Sequence, residues 1–247
     1  MNADLARLRD ILSAGKRMVF FGGAGVSTES GIPDFRSEKG LYSARKVYGH
    51  SPETLLSHSF FMGSPQIFFR YYKENLIHPA AAPNAAHKAL AKLEQQGRMS
   101  AIVTQNIDGL HQAAGSRVVY ELHGATARNY CMDCLEKYDQ SYILAPGNCG
   151  ADGIIPRCAK CGGIVRPDVV LYEEGLSHTV MTAAVRAIEA ADVLIVGGTS
   201  LAVYPAAGLI QYFKGDTLVL INLSETPYDS RADLVVRRPI GEALSAL

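Results

Sequence analysis

The chain has 247 residues, of which 48% are apolar, and its 24 basic side chains balance 24 acidic ones to a formal net charge of zero. This length and apolar fraction suffice for a buried core in one large domain or two small ones, and they exclude a disordered chain. The balanced charge argues against a protein whose main task is to bind nucleic acid or an anionic membrane, because both rely on excess Lys and Arg.

Cysteine usage and the lack of an apolar leader indicate the compartment. Five cysteines, an odd number, fit a secreted disulfide scaffold poorly and favour a reducing environment. Residues 1–4 lack the basic start and apolar stretch of a signal peptide. The uncharged run at 193–213 is interrupted by glycines and Pro205, as expected for a strand, a loop and a helix. We therefore expect a cytoplasmic protein.

Short apolar runs alternate along the chain with stretches of helical spacing. The predicted strands are residues 18–21, 101–104, 117–121, 193–196 and 218–221. The predicted helices are residues 5–12, 84–96, 179–190 and a segment opened by Pro205. This alternation predicts an α/β fold with a Rossmann-like, doubly wound parallel sheet.

Two stretches break the alternation and are interpreted as insertions. Residues 37–80 are rich in aromatic side chains without strand signals, and residues 126–165 contain all five cysteines. We expect a main domain from 1–36, 81–125 and 166–247. The helical insertion and the cysteine insertion would together form a smaller lobe.

A glycine turn follows the first predicted strand. The sequence from Gly23 through Gly25 to Thr28 is expected to open a helix, an arrangement that suits a pyrophosphate. Thr28 replaces the third glycine of the dinucleotide fingerprint, so an ordinary tight turn is an equally good interpretation. Phe35 and Arg36, which come next, favour a loop that closes over a charged, aromatic ligand. A structural pair between Asp34 and Arg36 is the alternative.

Polar side chains follow four of the predicted strands, at the sheet edge where α/β folds bind ligands. They are Gln105, Asn106, Asp108, His123, Thr199, Ser200 and Asn222, with Gly198 beside them. The amide and carboxylate groups suit a carboxamide or ribose hydroxyls, although Asn106 or Asp108 could instead cap a helix. His123 can take a proton at neutral pH. The remaining histidines are interpreted as structural: His50, His58, His78, His87, His111 and His178.

The cysteines form two Cys-x-x-Cys pairs, Cys131 with Cys134 and Cys158 with Cys161. Two such pairs predict a closed, tetrahedral site for one structural Zn²⁺. A redox dithiol or two disulfides are the alternatives. Cys149 lies outside both pairs, and no role is predicted for it.

In combination these motifs resemble the sirtuin family, in a compact bacterial form, over nearly the whole chain. The motifs are residues 23–27, 31–36, 105–108, 121–124, 198–201 and the two cysteine pairs. The resemblance implies an NAD-dependent protein-lysine deacylase in which NAD is consumed, giving free lysine, nicotinamide and O-acyl-ADP-ribose. Acetyl-lysine segments of proteins would be its partners. We expect a monomer without a nucleic-acid or membrane partner.

The resemblance also implies roles for individual residues. His123 would be the catalytic base, and Asn106 would belong to the catalytic site and, with Ile107 and Asp108, to the nicotinamide pocket. The other implied NAD contacts are Gly23, Ala24, Gly25, Thr28, Phe35, Arg36, Gln105, Gly198, Thr199, Ser200, Asn222 and Ile240.

The substrate-binding segment departs from the family pattern. Val169, Val170 and Tyr172 would pair with the peptide, which would lie between them and residues 201–204. Glu173 stands where glycine is common. Residues 69–72 lack the Tyr-x-x-Arg pair of relatives that remove succinyl or malonyl groups, so deacetylation is the predicted main activity. Protein ADP-ribosylation and removal of other acyl groups are the alternatives.

Overall fold

The computed structural model of the protein describes residues 3–14, 16–33 and 44–245. Among these residues the strands are β1 (Met18–Gly22), β2 (Met99–Thr104), β3 (Val119–Glu121), β4 (Gly124–Cys131), β5 (Lys137–Asp139), β6 (Val165–Val169), β7 (Val193–Gly197), β8 (Thr217–Ile221) and β9 (Leu234–Val236). The main sheet is six-stranded and parallel, in the order β3-β2-β1-β7-β8-β9. Counted within this sheet, the order is that of the Rossmann fold, which confirms the predicted fold class.

Helices of the described residues cover both faces of the main sheet and also build part of the smaller lobe. They are α1 (Ala3–Ser13), α2 (which includes 44–48), α3 (Pro52–Leu55), α4 (His58–Gly63), α5 (Pro65–Asn75), α6 (Ala85–Gln95), α7 (Leu110–Ala113), α8 (Gln140–Leu144), α9 (His178–Glu189) and α10 (Ile240–Leu244). The helix α6 begins where the sequence predicts, because the Asn84 side chain accepts hydrogen bonds from the main-chain N–H groups of Ala86 and His87.

The main sheet is covered on both faces, which explains why its central strands contain no charged residue. Every residue of β1 and β7 is buried. On one face Phe20 and Ile195 pack with side chains of α1, α6 and α10. On the other face Phe21 and Leu194 pack with side chains of α9. Burial on both faces is typical of parallel sheets between two helical layers.

The smaller lobe has its own sheet and its own core. Its three strands are antiparallel, in the order β5-β4-β6. A third apolar cluster combines Phe61 and Phe68 of the helical segment with Cys131 and Cys158 of the cysteine segment, and it includes Leu171, which follows β6. This shared core supports a single small lobe built from both insertions. The sheet extends past the proposed insertion at each end, since β4 begins at Gly124 and β6 ends at Val169.

Two predicted helices are of the 3-10 type. The glycine turn leads into two short 3-10 helices, Ala24–Val26 and Thr28–Ser30, rather than into an α-helix. The chain turns away at Gly31, whose φ of 82° is left-handed, and Pro33 follows two residues later. Pro205 likewise precedes a 3-10 helix, Ala206–Tyr212, instead of opening an α-helix. Over the described part of the chain, the helices are too short or too polar to cross a bilayer.

Candidate active site

A cavity of about 280 Å³ lies where the carboxyl ends of β1, β2 and β7 meet the small lobe. The strand order reverses between β1 and β7, and ligands of open α/β sheets bind at such a point. Most predicted site residues line this cavity. They are Gly23, Ala24, Gln105, Asn106, Ile107, Asp108, His123, Val169, Val170, Tyr172, Gly198, Thr199 and Ser200.

The remaining predicted site residues lie elsewhere. Gly25 and Thr28 belong to the glycine turn beside the cavity, where the Thr28 hydroxyl donates to the Gly25 main-chain oxygen. Asn222 follows β8 at the same edge of the sheet, and its side chain donates to the Ser224 main-chain oxygen. Ile240 is buried at the start of α10. Phe35 and Arg36 fall outside the described residues.

The ends of three sheet strands are joined closely at the cavity. The Gly25 N–H donates to the Gly198 main-chain oxygen at 2.8 Å. A Cβ on Gly25 would lie 2.8 Å from the Gly198 Cα atom, so only glycine permits this approach of β1 and β7. The Gln105 side chain, after β2, donates to the Thr199 hydroxyl at 3.1 Å. These contacts hold together the strand ends that form one side of the cavity.

Ser27 connects the amide and the carboxylate that follow β2. Its hydroxyl donates to Asp108 Oδ2 at 2.6 Å and accepts from Asn106 Nδ2 at 3.0 Å. Asp108 Oδ1 also accepts from the Leu110 N–H at 2.9 Å. Ser27 is only 1% exposed. These bonds hold the Asn106 amide and the Asp108 carboxylate in defined orientations at the cavity wall. The sequence offered the glycine turn as a signal, but Ser27 was not among the predicted site residues.

His123 follows β3 at the cavity wall. Its Nδ1 lies 2.9 Å from the Gln105 main-chain oxygen. A carbonyl only accepts hydrogen bonds, so Nδ1 carries the proton and the basic lone pair of the neutral ring is on Nε2. The main chain is fixed as well, because the Val170 N–H donates to the His123 oxygen at 3.0 Å. The ring thus has the defined orientation and tautomer that a general base requires.

Two further histidines lie in the core next to the site. His87 and His111 are 0% and 1% exposed, and their ring centroids are 4.8 Å apart. Burial lowers the pKa of both, and that of His111 falls to about 3. The Asp108 carboxylate opposes the effect of burial at His87. Both imidazoles are therefore neutral beneath the polar network of the cavity.

This pair predicts a loss of stability in mild acid. Below the unfolded-state pKa of 6.5, the unfolded chain binds protons that the folded protein does not, and for His111 this continues down to a pKa of about 3. As the pH falls below 6.5, we expect the free energy of unfolding to decrease by at most about 1.4 kcal/mol per pH unit for each of the two histidines. Urea unfolding at about pH 7, 6 and 5 measures the slope. His111→Gln should make this slope smaller, whereas the exposed His178→Gln should leave it unchanged; equal slopes in all three proteins would contradict the assignment.

The four paired cysteines meet in the small lobe, away from the cavity. Their Sγ atoms all lie within 4.8 Å of one another, with 3.4 Å between Cys131 and Cys161 and 3.6 Å between Cys134 and Cys158. Zinc–thiolate bonds of about 2.3 Å in a tetrahedron separate the sulfurs by about 3.8 Å, so the arrangement fits Zn²⁺. All the cysteines are free thiols, which disfavours the two-disulfide alternative. Four thiolates complete the coordination, and the ion would be structural.

Neighbouring groups suit thiolate ligands. The Tyr138 hydroxyl lies 3.0 Å from Cys158 Sγ, and the Lys160 N–H donates to the same sulfur at 3.4 Å. Such donors stabilise the negative charge of a metal-bound sulfur. Cys149 is separate from the cluster, and its sulfur lies 3.5 Å from the Lys73 ammonium nitrogen.

Comparison with known proteins identifies the family. The Sir2 family model matches residues 23–205. A relative from Clostridium acetobutylicum, named NAD-dependent protein deacetylase, is 57% identical over 240 residues, which are 97% of this chain and 96% of the relative. A solved Sir2 structure with a deacetylated peptide and 3′-O-acetyl ADP ribose is 38% identical, with a TM-score of 0.87 over 98% of this chain and 96% of that one. Another, with a peptide and NAD⁺, is 37% identical, with a TM-score of 0.84 over 99% of this chain and 96% of that one. The chain therefore belongs to the Sir2 family, the sirtuins.

Proposed function

We propose that the protein is an NAD-dependent protein-lysine deacetylase, which transfers the acetyl group from lysine to ADP-ribose and releases nicotinamide. The observation that carries this proposal is the neutral ring of His123 at the cavity wall, with its basic nitrogen fixed as Nε2 by the hydrogen bond to Gln105. Membership of the Sir2 family, and the NAD and acetyl ADP ribose in the related structures, support it. His123 would accept the proton of a ribose hydroxyl, which then attacks the acyl carbon.

The residues around the cavity fit NAD as the second substrate. Gly23 and Ala24 of the glycine turn line the cavity, so a pyrophosphate could approach the main chain there without meeting a large side chain. The Ser27 network orients Asn106 and Asp108 for a carboxamide. The proposed NAD contacts are Gly23, Ala24, Gly25, Thr28, Phe35, Arg36, Gln105, Asn106, Ile107, Asp108, Gly198, Thr199, Ser200, Asn222 and Ile240, with Asn106 and His123 as the catalytic residues.

The peptide would lie between two segments that line the same cavity. Val169, Val170 and Tyr172 form one of them, and residues 201–204 lie in the other. Tyr172 is itself fixed, because its N–H donates to the Leu56 oxygen and its oxygen accepts from the His58 N–H, each at 3.0 Å. We also propose that the protein acts as a cytoplasmic monomer on acetyl-lysine segments; its odd number of cysteines, four of them in one cluster, supports a reducing compartment.

The lining favours a neutral acyl group. Among the described residues of the cavity wall there is no lysine or arginine, and Arg70 of α5 is exposed rather than directed into the cavity. A succinyl carboxylate would enter without a cationic partner. We expect kcat/KM for a succinylated peptide to be at least about tenfold below that for the matched acetylated peptide.

Mass spectrometry of the products tests the function and the acyl preference together. With NAD and acetylated peptide, we expect equal amounts of nicotinamide, free-lysine peptide and O-acetyl-ADP-ribose. Faster release of succinyl would contradict the acyl preference alone. Mass added to protein, without release of acetyl, would instead indicate ADP-ribosyl transfer.

A further inference from the structure

Two consecutive carboxylates end the segment after β6, and their surroundings differ. Glu174 accepts two hydrogen bonds from the guanidinium of Arg166, at 2.8 and 3.0 Å, and lies 2.9 Å from His58 Nδ1. Arg166 is buried, so this pair is internal and its charges compensate each other. Glu174 thus serves the structure of the lobe.

Glu173 has a different environment. Its carboxylate accepts from the Ser59 N–H and from the Ser59 hydroxyl, each at 2.9 Å. Both donors are neutral, so they fix the position of the carboxylate without cancelling its charge. The residue is exposed and lines the cavity, and its φ of 75° is left-handed, a conformation that costs energy for a residue other than glycine. Glu173 is thus held at the cavity in an unfavourable backbone conformation, which a carboxylate needed only for solubility would not require. A ligand group that binds this carboxylate would account for that conformation.

Another part of the cavity wall offers an aromatic surface. Tyr204, which lies in the segment after β7, is 65% exposed and lines the same cavity. A carboxylate attracts a cation by charge, and a tyrosine ring attracts one through its π face. No lysine or arginine among the described lining residues opposes them. Glu173 and Tyr204 thus give the proposed peptide cleft an acidic and an aromatic group, both of which suit a cation.

We propose that Glu173, assisted by Tyr204, makes the cleft selective for acyl-lysine segments that carry an arginine or lysine beside the acyl-lysine. This inference rests on the proposed deacetylase function. The acyl-lysine is itself neutral, so the charge that distinguishes one segment from another must come from its neighbours. Complementary charge at an interface provides such discrimination between partners.

Three acetylated peptides that differ only in the residues flanking the acetyl-lysine, with arginine, alanine or glutamate there, test the inference. We expect kcat/KM of the wild-type protein to be about tenfold higher for the arginine peptide than for the glutamate peptide at low salt. The ratio should shrink at about 0.5 M NaCl, because salt screens exposed charges. This salt dependence is measured on the wild-type protein and needs no variant.

Glu173→Gln removes the charge but keeps an oxygen that can accept from Ser59. We expect its arginine-to-glutamate ratio to fall to about threefold or less. Asp216→Asn is the matched control, since Asp216 is exposed next to β8 at the amino end of the sheet and its loss should leave the ratio unchanged. An unchanged ratio in Glu173→Gln, or no preference for arginine in the wild-type protein, would overturn the inference. Failure to deacetylate any of the three peptides would refute the proposed function instead.

Discussion

Replacing His123 with alanine is expected to lower kcat for NAD-dependent deacetylation by about a thousandfold, within the usual range for loss of a general base. The hydrogen bond from Nδ1 to the Gln105 oxygen leaves Nε2 as the basic nitrogen at the cavity wall. Asp108 cannot easily replace it, because both of its carboxylate oxygens accept hydrogen bonds, from Ser27 and from Leu110. Steady-state rates of O-acetyl-ADP-ribose formation measure the effect.

Two controls separate a chemical role from a structural one. The His123→Ala protein should still gain thermal stability when NAD is added, because the proposed NAD contacts lie on other residues. His178→Gln, which changes an exposed histidine of α9, should keep the wild-type kcat. A His123→Ala protein that folds, binds NAD and retains more than about a tenth of the wild-type kcat would show that another group acts as the base.

The parts of the fold that the sequence predicts are those in which one local signal dominates. β1 and β7 are apolar runs buried on both faces, and each is followed by glycine, so their position and direction could be predicted. The cysteine cluster was predictable because two short spacings determine which sulfurs meet. Gln105, Asn106, Asp108 and His123 were found by the same reasoning, since every one follows a predicted strand.

Features that depend on distant contacts were missed. In the sequence, Ser27 is one of several small residues in the glycine turn, and nothing local indicates a role for it. Its role depends on the hydrogen bond from its hydroxyl to Asp108, which lies 81 positions further along the chain. The strand β6 contains Pro167 and Asp168, which disfavour a strand, and it forms because β4 pairs with it. The short strand β9 and helix α10 carry too few residues for a local pattern to identify.

Removing Cys158, a proposed zinc ligand, is expected to unfold the small lobe and to abolish deacetylation. Structural zinc contributes about 10–16 kcal/mol to folding in zinc-finger peptides, which equals or exceeds the whole stability of a typical domain. In this protein the effect should reach the active site. Cys131 and Cys158 belong to the same apolar cluster as Val169 and Leu171, and those two residues line the cavity. Loss of the metal therefore releases the wall against which the peptide is proposed to bind.

In Cys158→Ser we expect the zinc content and the deacetylation rate to fall together. Hydrogen exchange of β4, β5 and β6 should become faster at the same time, because these strands form one sheet in the lobe that holds the cluster. Cys149→Ser is the matched control, since Cys149 lies outside the cluster, and it should keep about one zinc per chain and full activity. Cys149 contacts Lys73 of α5, so Cys149→Ser could lower the stability of the protein slightly. This contact does not involve the four clustered cysteines, and the zinc content should therefore stay the same. A Cys158→Ser protein with wild-type activity and no zinc would show that the apolar cluster alone maintains the cavity wall.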